Sequence, residues 1–308
     1  MIIALSNLLP IFIAFLMGYK ISLLPIKINI NVVNLLSNST LYLLLLLMGV
    51  TVGFIPDITG KLSEVGFNAV CIAISSSLFI AVTLKVFYGR SHVTKKCEVG
   101  DQRTTFNVAS YIKDPLILGG LVILGFLFSY YNVIPNVNYD FTTSTLLYFL
   151  IFFIGIKLST SGIKIGKIFL NKKNAYMTFL TIVSSYAGAA FVSLFIQLPL
   201  TQTLAISSGF GWYTLSGILF TKMDNALLGS VAFLCDLFRE VIALLLIPTL
   251  SRIGNANIAI GVAGATAMDV TLPVIEKHCG VSYVPVALLS GGVITILVPF
   301  LIPFFYSL

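Results

Sequence analysis

Four ionisable residues sit where hydrocarbon should be. Asp236, Arg239 and Glu240 interrupt an otherwise apolar run over residues 227–250, and Asp269 lies within GVAGATAMDVTLP. An ionised side chain at membrane depth costs about 2.5–3.5 kcal/mol on insertion scales, so such groups face a protein-lined, wet interior and mark a functional path. Asp236 and Glu240 are four residues apart and share one helix face, with Arg239 bordering the same stripe. Pairing one acid with the arginine leaves a negative charge, and Asp269 adds another, so the site favours cations. A structural alternative is a buried Asp236–Arg239 pair that fixes helix register, with Glu240 near a helix end. The excess of acids over bases weighs against it.

Asp269 is preceded by Gly261, Gly264 and Thr266 and followed by Thr271 and Pro273. Pro273 has no N–H to donate to residue 269, and its ring disfavours regular helix. A break here frees carbonyls and creates a half-helix end, the ingredients of an ion or substrate site at the membrane midplane. A surface acid ending a short helix is the plainer alternative. SSGFGWYTLSGIL (residues 207–219) holds the sole tryptophan, Trp212. Gly209, Gly211 and Gly217 permit close approach or unwinding, while Ser208, Thr214 and Ser216 bring hydroxyls. Trp212, Tyr213 and Ser216 are candidate substrate contacts. Close helix packing through small residues explains the same stretch, and the two rings would also serve as interfacial anchors. The candidate substrate-binding or proton-coupling residues are therefore Glu240, Asp269, Asp236, Arg239, Thr266, Trp212, Tyr213 and Ser216.

The elements that must position them are membrane helices. Of 308 residues, 58% are hydrophobic and 9% charged, with a mean hydropathy of +1.03; soluble chains carry about 25% charge. The length suits roughly ten crossings of ~20 residues each. The expected fold is all-α and polytopic, one transmembrane transporter domain over residues 1–308. Apolar segments lie near 2–19, 34–54, 66–88, 115–131, 142–158, 174–196, 203–220, 227–250, 258–275 and 283–306. The segments at 203–220 and 258–275 are rich in Gly and small polar residues. Each is expected to be a broken crossing or a re-entrant helix, giving eight to ten spans. The run at 2–19 reads as a retained helix, lacking a preceding positive charge and a cleavage site.

Charge sets the orientation. The net charge of +7 would suggest nucleic acid in a soluble protein. Here Lys and Arg gather in loops, at 89–114 (Arg90, Lys95, Lys96, Arg103, Lys113) and 157–173 (Lys157, Lys164, Lys167, Lys172, Lys173). The positive-inside rule makes both loops cytoplasmic and both termini external; the partners are membrane lipid and a small solute, not nucleic acid. Cys71, Cys97, Cys235 and Cys279 lack metal or redox spacing, so no cofactor is expected. His92 and His278 fall in polar connections, leaving no histidine at depth for nucleophilic catalysis. Neither the glycine–aspartate pairings of intramembrane aspartyl proteases nor a phosphate-cradling loop is present, and an enzyme is not expected.

An internal repeat is visible at an offset of 106 residues: Tyr42 with Tyr148, Gly49 with Gly155, Gly60–Lys61 with Gly166–Lys167, and Asn68–Ala69 with Asn174–Ala175. It equates the second span with the fifth, which cross in opposite senses, so the repeat is inverted. Inverted repeats let one scaffold alternate between inward- and outward-open states.

Three stretches, SSGFGWYTLSGIL, DLFREVIALLLIP (236–248) and AGATAMDVTLPVI (263–275), together resemble the lysine exporter family of bacteria and archaea. The resemblance covers most of the chain and is weakest at 89–114. It implies an inner-membrane protein that exports L-lysine and toxic lysine analogues, with both termini outside the cytoplasm. It places the family's intramembrane acids on Glu240 and Asp269, with Asp236 and Arg239 in the same motif. Cys235 stands where asparagine is expected. Lysine carries two ammonium groups and one carboxylate. Glu240 and Asp269 would each take an ammonium, while Arg239 or a half-helix N-terminus holds the carboxylate. Protons competing for these acids would make the export an antiport. The competing reading is a sodium-coupled importer of an organic anion, similar to bile acid symporters in its broken helices; the surplus of acids argues against it. A scaffold or sensor would be expected to carry a soluble signalling domain.

Overall fold

Within hydrocarbon every backbone N–H and C=O must find a partner inside its own segment, and a helix is the one open-chain way to do so. The apolar runs obey this. A computed structural model describes residues 10, 13–21, 29–54, 58–88, 108–131, 133–135, 139–160, 172–223, 225–253 and 255–308, and every regular element among them is helical. We number them α1 (residues 13–21), α2 (Ile30–Gly53), α3 (Ile58–Tyr88), α4 (Val108–Tyr130), α5 (Asp140–Thr160), α6 (Lys172–Val192), α7 (Leu200–Ser207), α8 (Tyr213–Lys222), α9 (Ala226–Ile253), α10 (Ala256–Ala263), α11 (Leu272–Cys279) and α12 (Val284–Tyr306). Stretches within α2, α3, α6 and α12 are each long and apolar enough to cross a bilayer. The chain is an all-α, multi-pass membrane protein.

Several boundaries differ from those read in the sequence. α3 starts at Ile58 and α4 at Val108, so helix extends into the polar links on either side. The backbone ladder does not stop where hydropathy falls. Lys157, assigned to a loop, belongs to the last turn of α5. It is half-buried, and its Nζ donates to the buried Ser37 Oγ at 2.9 Å. Because Ser37 lies in the first half of α2, α2 and α5 run antiparallel. His278 lies half-buried in the last turn of α11 instead of standing in a solvated link. Cys235 and Cys279 are buried. The charged residues expected at 89–107 and at 161–171, and the first half of the N-terminal run, lie outside the described residues.

Close backbone approach through glycine joins the helices of the first half. A Cβ on Gly49 of α2 would strike the Val122 carbonyl of α4, and one on Gly125 would strike that of Leu46. In the same way Gly18 of α1 rests on the Phe152 carbonyl, and Gly155 of α5 on that of Phe15. Small residues allow such contact, which is where dispersion between lipid-embedded helices is strongest. α3 and α6 pack closely on each other, with Gly188 against Ser75 and the Ser75 hydroxyl donating to the Gly188 carbonyl at 2.7 Å.

Two segments do not run through. The first breaks between α7 and α8, where Phe210 (φ 49°) and Gly211 (φ 93°) take left-handed conformations. The second breaks between α10 and α11, at a 3₁₀ turn Gly264–Met268 that opens on Gly264 (φ 62°). Pro273 then sits in the first turn of α11, where its missing N–H costs nothing. α10 and α11 pack against each other, although nine residues of straight helix would hold even their nearest ends about 13.5 Å apart. The chain therefore bends back sharply at this point.

Candidate functional site

Asp236, Arg239 and Glu240 line one stripe of α9, and all three are sealed inside, at 0%, 2% and 1% exposure. Asp236 and Arg239 do not take each other as hydrogen-bond partners. Arg239 Nη1 donates to the Ser207 carbonyl at 3.0 Å, at the end of α7. Asp236 Oδ1 accepts the Gly211 N–H at 2.8 Å, in the turn that leads into α8, and Ser216, whose hydroxyl donates to the Tyr213 carbonyl at 3.4 Å, lies nearby. A helix C-terminus carries partial negative charge and an N-terminus partial positive charge. The cation thus holds the end of one half-helix and the anion the beginning of the next. The pair braces the break from outside it, which differs from a register-fixing ion pair within α9.

Glycine is required at the seat of this brace. A Cβ on Gly209 would fall on Asp236 Oδ2, so the carboxylate fills the space that any side chain at 209 would occupy. Below the guanidinium lies the Phe210 ring, 5.5 Å from Cζ to centroid, a cation–π contact. Phe210 in turn meets Tyr186 edge-on at 5.8 Å, and the Tyr186 and Ser208 hydroxyls are 3.0 Å apart. The Ser207 hydroxyl lies 3.2 Å from Ser76 Oγ on α3 and 2.9 Å from Ser185 Oγ on α6. α3 and α6 thereby anchor the end of α7.

The two breaks are spliced together. Ala265 N–H donates to the Phe210 carbonyl at 3.0 Å, and a Cβ on Gly264 would come within 2.5 Å of that oxygen. Thr266 is buried next to Gly211. Its hydroxyl donates to the Ala263 carbonyl at 2.8 Å, and its own carbonyl accepts the Thr271 hydroxyl at 2.9 Å. Trp212 caps α8 half-buried, while Tyr213 is buried edge-on to Phe233 at 5.4 Å. Asp236, Arg239, Trp212, Tyr213, Ser216 and Thr266 therefore gather around the point where the breaks meet. Glu240 is one turn along α9. Asp269 is placed differently: it is exposed, and its Oδ1 accepts the N–H of Val270 at 2.6 Å.

Sequence reasoning passed over Phe210, Ser207 and Tyr186. A bulky residue squeezed between Gly209 and Gly211 was the available sign for Phe210. Nothing local marks Tyr186 or the serines, whose partners are distant in the chain. Among the described residues no group of three His, Cys, Asp or Glu side chains is placed to hold a metal.

Buried charge at the junction of two broken helices in a multi-pass protein is the anatomy of a solute carrier. Residues 120–306 match the family described as Lysine exporter LysO. The chain is 33% identical to the lysine exporter LysO of Escherichia coli over 97% of its own length and 99% of that protein's. It is 39% identical to a putative lysine exporter of Haemophilus influenzae over 60% of its length and 93% of that protein's. No solved structure matches the chain. All three stretches that carry the resemblance lie within the matched region, so the chain belongs to the LysO family of lysine exporters.

Proposed function

We propose that this protein exports L-lysine, together with lysine-like toxic analogues, from the cytoplasm across the inner membrane in exchange for protons. The observation that carries this reading is the sealed stripe of Asp236, Arg239 and Glu240 against two spliced helix breaks, in a chain of this family. Glu240 and Asp269 take the two ammonium groups. The exposure of Asp269 suits a carboxylate that exchanges its partner, while Asp236, wedged against Gly209, holds the break. Moving one positive charge outward against an inside-negative potential costs about 2.3 kcal/mol per 100 mV, so passive export cannot empty a cell. Protons arriving at the same carboxylates displace the cation and supply the missing drive.

Alternating access follows from the inverted repeat. In its favour, Gly49 and Gly155 occupy equivalent crossings: α2 meets α4 at the first and α5 meets α1 at the second. The partner glycines, Gly18 and Gly125, are related by nearly the same offset. The antiparallel course of α2 and α5 fits an inverted relation. Both termini then lie outside the cytoplasm. The test is labelled lysine flux in proteoliposomes with imposed pH and sodium gradients. Export that is driven by a pH gradient and indifferent to sodium is expected; flux unchanged after the pH gradient is collapsed would refute the antiport.

A further inference from the structure

Arg239 has two donors to spare. One guanidinium N–H group reaches the Ser207 carbonyl, yet Nε and Nη2 are buried with no hydrogen-bond partner. Those two nitrogens share one edge of the planar group, the edge that meets both oxygens of a carboxylate at once. Leaving charged donors buried and unmatched is costly, and a site that tolerates this has an acceptor to receive. In the turn that leads into α8, the Gly211 N–H is not open to the same acceptor, because it is bonded to Asp236.

We infer that the Nε–Nη2 edge of Arg239 binds the α-carboxylate of the substrate and makes the protein select the amino acid over its decarboxylated diamine. The inference rests on the lysine export reading and adds to it the group that reads the headgroup. Acids alone would favour 1,5-diaminopentane, which keeps both cationic ends of lysine and lacks the carboxylate. With Arg239 fixed by Ser207 and stacked on Phe210, a diamine leaves two buried donors unsatisfied and adds no compensating contact. Lysine amide, with a neutral carboxamide, forfeits the bidentate charge-assisted pair.

The full-length protein in proteoliposomes, preloaded with lysine, provides the test through counterflow of labelled lysine. On the wild type, 1,5-diaminopentane and lysine amide are expected to compete at least roughly tenfold more weakly than lysine, the loss of one charge-assisted pair. Arg239→Lys keeps the charge without the fork and is expected to raise the KM for lysine about tenfold and narrow the gap to the diamine. Equal competition by lysine and the diamine on the wild type overturns the inference. So does an Arg239→Lys or Arg239→Gln protein that elutes as a folded species and keeps the full discrimination. Should neither variant fold, the wild-type competition decides alone. A wild type that shows no lysine counterflow sinks the export reading, and this inference with it.

Discussion

A methyl group added at Gly209 and one added at Gly211 ask different things of the same turn. At Gly209 the new atom falls on Asp236 Oδ2, so the carboxylate must leave its seat. At Gly211 the new atom would make only ordinary van der Waals contact, with Thr266 Cγ2 at 3.5 Å, and the penalty is the left-handed backbone, about 1–2 kcal/mol. Gly209→Ala is therefore expected to abolish lysine flux, whereas Gly211→Ala lowers thermal stability and retains partial flux; equal effects would mean that Asp236 does not hold the break. Asp236→Asn keeps an oxygen for the Gly211 N–H while Asp236→Ala does not. The asparagine variant is expected to unfold later in a detergent melt, by about 1–3 kcal/mol, the cost of an orphaned buried donor. The residues able to do this chemistry stood out in the sequence because charge is conspicuous in an apolar run. Their division of labour did not. That Arg239 serves the end of one half-helix and Asp236 the turn that leads into the next is invisible in a spacing of three.

Each broken segment owes its shape to glycines whose backbone angles other residues resist, and the junction between them to one hydrogen bond from Ala265 to Phe210. Gly264→Ala meets both obstacles, a φ of 62° and the Phe210 carbonyl at 2.5 Å. It is expected to reduce flux by more than an order of magnitude while the protein still reaches the membrane, as read by surface expression. Ser207→Ala is the contrasting case. It removes the hydroxyl contacts to Ser76 and Ser185 but leaves the carbonyl that Arg239 uses, so flux within about threefold of wild type is expected, a buried interhelical hydroxyl pair in a membrane averaging only about 0.6 kcal/mol. Element existence was legible for nearly every apolar run. The ends of α3 and α4 were not, because a helix continues on hydrogen bonds after hydropathy has stopped signalling it.

For the molecule as a whole, the crossings at Gly49–Gly125 and Gly18–Gly155 make the inverted repeat testable in a way that identities in aliphatic sequence do not. Gly49→Ile and Gly155→Ile each force a backbone carbonyl aside. A two-fold related scaffold predicts matched losses in thermal unfolding temperature; a large loss at one site and none at the other would count against the repeat. Orientation has its own check. Topology reporters fused at Leu308 are expected to lie outside the cytoplasm, as the positive-inside distribution requires.

Taken alone, the chain of 308 residues determined its environment, its class of fold and the four side chains worth watching, since the solvation cost of charge and the satisfaction of backbone polar groups in hydrocarbon are local demands that composition expresses directly. Only the tertiary structure decided that Ser207, Phe210 and Gly211 lie under Arg239 and Asp236, that the turn at 264–271 touches the turn at 208–212, and that Asp269 stands exposed while its fellow acids are sealed. Those facts depend on which surfaces of distant helices meet, and contact between segments dozens of residues apart leaves no periodic trace in either one.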